Sequence, residues 1–200
     1  MSYAQLYDAI QGHDIYIERN IVRDHVLSLK KADRVTVMRT KRFTPAICRG
    51  MYLSPSNKSH PFTVVAGKHA ILVAHGLNQC WERLIVVKEL MHLLDGASEA
   101  LDTGEQFDRV LSEIVVNSGS VCAQTRSEFK AFWKALGVLV PEAKRLKLRA
   151  DWLKAKKEGV LSADIDIAHK LKIPATYIPS LFSDQYSRQL SSILNRKISV

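Results

Sequence analysis

The stretch VVKELMHLL, residues 86–94, holds residue types that could do chemistry at a spacing that could bring them together. On a helix, positions 88, 89 and 92 fall on one side, because residues four apart stack one turn above another. With histidine at position 88 the run would be H-E-x-x-H. Two imidazoles would then reach one zinc ion at about 2.0–2.1 Å, and the glutamate would take a proton from the metal-bound water. Position 88 is instead Lys88. Glu89 keeps the place of a general base and His92 that of a ligand. A lysine ammonium, with a reference pKa of about 10.4, is protonated at neutral pH and ligates no metal unless strongly desolvated. An E-x-x-H pair alone also suits a core histidine beside a carboxylate, so its surroundings have to decide.

Arg83 stands five residues ahead of Lys88, and apolar strand-like runs precede the helix. Downstream, EFKAFWKALGVLVP places Glu128 thirteen residues before Pro141, with Ala131 and Ala135 between them. The arrangement resembles the ImmA/IrrE family of bacterial and phage metallopeptidases. There a strand leads into R-x-x-F-T-x-A-H-E-L-x-H, and a later helix reads E-x-x-A-N-x-F-A-x-x-L-L-M-P. Arg83 takes the place of the arginine, Leu84 and Ile85 that of Phe-Thr, Val87 the alanine, and Lys88 the first histidine. Glu89, Leu90 and His92 match the glutamate, leucine and second histidine. Glu128 takes the place of the third metal ligand, Ala131 and Ala135 those of the two small packing residues, and VLVP that of LLMP. The asparagine is here Phe132. The likeness spans roughly residues 34–180.

The resemblance implies a zincin-like α+β fold. That means a small, mainly antiparallel sheet of three or four strands, packed on a helical bundle around a central buried E-x-x-H helix. In active members it implies zinc-dependent cleavage of a partner repressor that controls stress, phage or mobile-element genes. On that pattern Glu89 would be the general base, and His92 and Glu128 metal ligands. Lys88 departs at the metal itself, and its ammonium is expected to pair with Glu89 or Glu128 and hold the pocket without zinc. The expectation is therefore a degenerate, non-cleaving regulatory scaffold with no cofactor and a protein partner such as a transcriptional repressor. One alternative is an active zinc endopeptidase that finds a further ligand in His75, Asp95 or Glu99.

The elements that must position these residues are legible in outline. Apolar residues return at helical spacing through Tyr3, Leu6 and Ile10 and again through Ile17, Ile21 and Leu27, with an interruption near Gly12. From Arg34 to Gly76 the texture turns β-branched and aromatic in RVTVM, AICRGMYL, PFTVVA and HAILVAH, and Gly67 offers a hairpin turn. CWERLIVVKELMHLLDG is apolar almost all round, which predicts a buried central helix stopped by Gly96. Further helices are predicted over 105–117, 125–139, 141–157, 162–171 and 177–194. The chain thus reads as one domain, 1–200, with N-terminal helices over 1–33, a sheet over 34–76, motif helices over 82–140, and basic and C-terminal helices over 141–200.

Composition bounds the rest. Two hundred residues, 46% hydrophobic and 24% charged, suit one globular core, and no apolar run reaches the roughly 18 residues of a membrane span. Three cysteines, Cys48, Cys80 and Cys122, lack metal-type spacing and suit free buried thiols in a reducing compartment, so a cytoplasmic protein is expected. The formal charge of +9 favours an acidic partner. It concentrates in KKADRVTVMRTKR and in KRLKLRADWLKAKK. In the second stretch Lys144, Arg145, Lys147, Arg149, Lys154, Lys156 and Lys157 are candidate phosphate contacts, which makes a nucleic-acid-binding regulator the second alternative. DIDIAHKLKIPATYIPSLF has the outline of a helix-turn-helix, but its second helix is apolar where base-reading side chains should lie.

Overall fold

The computed structural model describes residues 2–32, 34–56, 68–96, 99, 103–116 and 122–198. Two helices, α1 (Tyr3–Ile10) and α2 (Arg19–Lys30), open the chain and send Leu6, Ile10, Val22 and Val26 into the core. They are followed by strands β1 (Val35–Thr40), β2 (Gly50–Leu53) and β3 (His69–Ala74). The strand order is β1-β3-β2, with β1 parallel to β3 and β2 antiparallel to it. The sheet is therefore mixed and not mainly antiparallel. Sequence neighbours β1 and β2 do not pair; β3 inserts between them, an arrangement that alternation within each run does not encode. The PFTVVA run and the Gly67 turn lie outside the described residues.

Helix α3 (Gln79–Met91) is the central element. Asn78 caps it, its side chain accepting from the Trp81 N–H, and Leu84, Val86, Val87, Leu90 and Met91 are all buried. A helix that is apolar on every side has to be enclosed. It packs against β3, α2 and the later helix α5. It also ends sooner than Gly96 suggests: His92–Leu94 form a single 3-10 turn, and Asp95 is extended. Strand β2 lies close on α3, so that a side chain at Gly50 would run into Ile85 and Glu89.

Helices α4 (Gly104–Val116), α5 (Ala123–Leu139), α6 (Glu142–Lys157) and α7 (Ala163–Leu171) match the predicted periodicity within a few residues. The single closing helix expected over 177–194 is broken into α8 (Ile178–Leu181) and α9 (Asp184–Leu194). Pro179 sits in the first turn of α8, and the Ser183 side chain caps α9 by accepting from the Tyr186 N–H. Ile178, Leu181, Tyr186 and Leu190 are buried, so this segment is core and presents no reading helix. One hydrophobic cluster runs from Leu6 through Val87 and Ala135 to Leu190, while Leu53, Ala70 and Leu72 form a smaller one with Met38 and Met51. The architecture is α+β. No helix among the described residues is long and apolar enough to cross a membrane.

Candidate functional site

Lys88, Glu89, His92 and Glu128 meet at the floor of a cavity of about 240 Å³. Helix α3 supplies Lys88 and Glu89, the turn that follows supplies His92, and the first half of α5 supplies Glu128. Strand β2 roofs the cavity through Gly50, Met51 and Tyr52, and Ile47, Phe132 and Tyr177 form apolar walls. The Lys88 ammonium donates to Glu89 Oε1 at 2.9 Å and to Glu128 Oε2 at 2.5 Å. His92 Nε2 lies 3.3 Å from Glu128 Oε1 and 3.9 Å from Glu89 Oε2. Those distances give Coulomb attraction, but Nε2 has no aligned hydrogen-bond partner. The ring is stacked by Tyr52, with centroids 6.4 Å apart and planes 15° from parallel.

Behind the histidine, Nδ1 is 2.7 Å from Asp95 Oδ2. Asp95 also accepts from Ser127 Oγ and, at 3.0 Å, from Lys134 Nζ. Three cations, Lys88, His92 and Lys134, thus interlock with three carboxylates, Glu89, Glu128 and Asp95. Burial alone would lower the His92 pKa, but the Glu128 charge and the Asp95 hydrogen bond outweigh it and push the pKa up to about 10. Burial opposes the Lys88 charge too, and Glu128 and Glu89 together raise its pKa well above the usual lysine value. Against its own desolvation, Glu128 is held well below the usual carboxylate range by Lys88 and then His92. All three groups are charged at neutral pH.

This donor set does not fit a catalytic zinc. The place that the first histidine has in an H-E-x-x-H helix is taken by an ammonium, and the His92 imidazole is protonated by its acidic surroundings. Asp95 is committed to His92, Ser127 and Lys134, Glu99 lies 3.5 Å from Lys130, and His75 is exposed beyond the end of β3. Among the described residues no group of three His, Cys, Asp or Glu side chains is placed to hold a metal. What the floor offers is a charge-balanced surface beneath an apolar opening, with Glu89 engaged by Lys88.

The other candidates scatter. Arg145 is withdrawn from any phosphate-binding role: it is 1% exposed and bonded to Glu142 and the Leu181 carbonyl, because α6 turns this position onto the end of α8 and onto Tyr186 and Ser187 of α9. Arg149 donates to the Phe182 carbonyl, Lys144 pairs with Asp14 and Lys156 with Asp164. Lys147, Lys154 and Lys157 are exposed. The cysteines are free but half-buried, and Cys122 caps α5. Sequence reasoning missed Lys134 and Ser127; the available signal was their seven-residue spacing, which puts both on the buried face of one helix. Tyr52 gave no signal, since its place over His92 depends on strand pairing. No known family model, curated protein or solved structure matches the chain.

Proposed function

We propose that this chain is a metallopeptidase-shaped protein that binds a protein partner at the Lys88 cavity and does not cut it. The observation that carries the reading is the Lys88 ammonium bridging Glu89 and Glu128, at the position where a zinc-binding histidine would stand in an H-E-x-x-H helix. An internal cation satisfies the two carboxylates without a metal, and the apolar walls remain to receive a side chain of the partner. The partner class is a transcriptional repressor, carried over from the ImmA/IrrE resemblance at Arg83, Glu89, His92 and Glu128. Zinc titration of Lys88→His against the native chain tests the reading. The variant gains at least ~10-fold in zinc affinity if the pocket is a converted metal site. One equivalent of tightly held zinc in the native protein would overturn it.

A cutting reading draws on one observation, the His92 Nε2 that faces the two glutamates without a hydrogen-bond partner. It requires cleavage of a repressor by the native chain, lost in Glu89→Gln while the fold persists.

A further inference from the structure

The far edge of the sheet, away from the cavity, carries a second surface. Strand β1 has β3 on one side and no strand on the other among the described residues. The Thr40 carbonyl accepts from the His75 N–H, so Thr40, Met38 and Thr36 turn their main-chain groups toward β3. By alternation, Val35, Val37 and Arg39 turn their N–H and C=O groups outward. An open row of this kind is a template for another strand, and proteins commonly cover or blunt it. Here it runs beside two clefts, of about 430 and 150 Å³, that separate β1 from α2. Val86 and Leu90 of α3 line the smaller cleft together with Val35 and Val37.

The rim is basic. Arg19 and Arg23 of α2, Arg34 ahead of β1 and Arg39 within it surround the groove. Against these four stand Glu18, Asp24, paired with Arg23, and Glu82, which holds Arg19 and Arg39 together. Arg34 makes no ion pair among the described residues and is exposed, and Lys30, Lys31, Lys41 and Arg42 extend the excess at both ends. A second copy of the chain would bring arginines against arginines at this edge. A nucleic acid would find phosphate partners on the rim but no use for an apolar floor or for outward main-chain groups.

We propose that β1 is a docking strand. An extended partner segment, with acidic residues alternating with apolar ones, adds to the edge that is open among the described residues, its apolar side chains on the face of the exposed Val37 and its carboxylates on the other face, toward Arg34. This surface is independent of the Lys88 cavity and stands whether or not that site holds metal.

The test uses the full chain and a synthetic peptide of alternating glutamate and valine. Saturable binding is expected, with amide hydrogen exchange slowed at least ~10-fold at Val35, Val37 and Arg39 and unchanged at Thr36 and Met38. The variant Arg34→Glu changes one exposed side chain outside the core, and it should weaken binding ~10-fold or more. The proposal is overturned if the peptide does not bind or binds without slowing those three amides. It is equally overturned if a lysine–valine peptide binds as well, or if duplex DNA binds more tightly and displaces the acidic peptide.

Discussion

Arg83 and Lys88 leave the same helix within five residues of each other, and each takes a positive charge out of water by a different means. Arg83 is held by neutral main chain. Its Nε and Nη2 donate to the Ile17 carbonyl, and Nη1 donates to those of Leu171 and Lys172 at 2.9 and 3.0 Å. It ties the approach to α2 to the end of α7, and burial draws its pKa down to about 10, still charged at neutral pH. Lys88 is held by two carboxylates at the floor of a cavity. A cation fixed by carbonyls is a stitch, because the surrounding groups ask only for donors. A cation fixed by carboxylates is replaceable in principle, because those groups ask for charge, which a metal ion could also supply.

That contrast can be broken most sharply at Arg83. Arg83→Met leaves buried carbonyls of Ile17 and Leu171 without their donor, and the expected loss is about 4 kcal/mol in urea denaturation. Added zinc should recover none of it. Lys88→Met strands Glu89 and Glu128 and should cost about 3 kcal/mol, less because Glu128 retains His92 and some solvent contact. Here a divalent cation should restore part of the lost stability, seen as a rise in Tm on zinc addition to the variant alone. Equal behaviour of the two variants toward zinc would make Lys88 a stitch like Arg83.

The two residues also divide what the sequence could tell. Lys88, Glu89, His92 and Glu128 were legible as a group because helical spacing and a downstream carboxylate are local patterns, and helix faces follow from sequence order. Arg83 was legible as a motif position but not as a carbonyl clamp, since Leu171 is eighty-eight residues away and its approach depends on tertiary packing. Arg145 read as one of seven surface cations because charge is visible in a sequence and the side a helix turns inward is not, in a stretch with little apolar contrast. The parallel pairing of β1 with β3 was hidden for the same reason. Which runs are strands is a local question, and which strands meet is not.

The smallest expected effect concerns how Lys88 acts on its neighbour. His92 has its pKa raised from the ordinary 6.5 to about 10. A group raised on folding adds stability that is complete below the unfolded value and is lost as pH rises through the folded one, so the decline should run from about pH 6.5 to pH 10. Glu128, held low, works in the opposite sense: its contribution is present above the ordinary carboxylate range and fails in acid. Urea midpoints across pH 6 to 10, taken as the difference between the native chain and His92→Gln, should fall as the pH rises. Lys88 repels the imidazolium and so limits its rise. In Lys88→Met the same difference should therefore start to fall at the same pH but continue to a higher one, whereas Arg83→Met should leave the profile unchanged. Curves that do not fall in any of the three backgrounds would mean that His92 is neutral in the folded protein. The ammonium of Lys88 would then be the one charge balancing the two glutamates, and the imidazole would be a free ligand awaiting a partner.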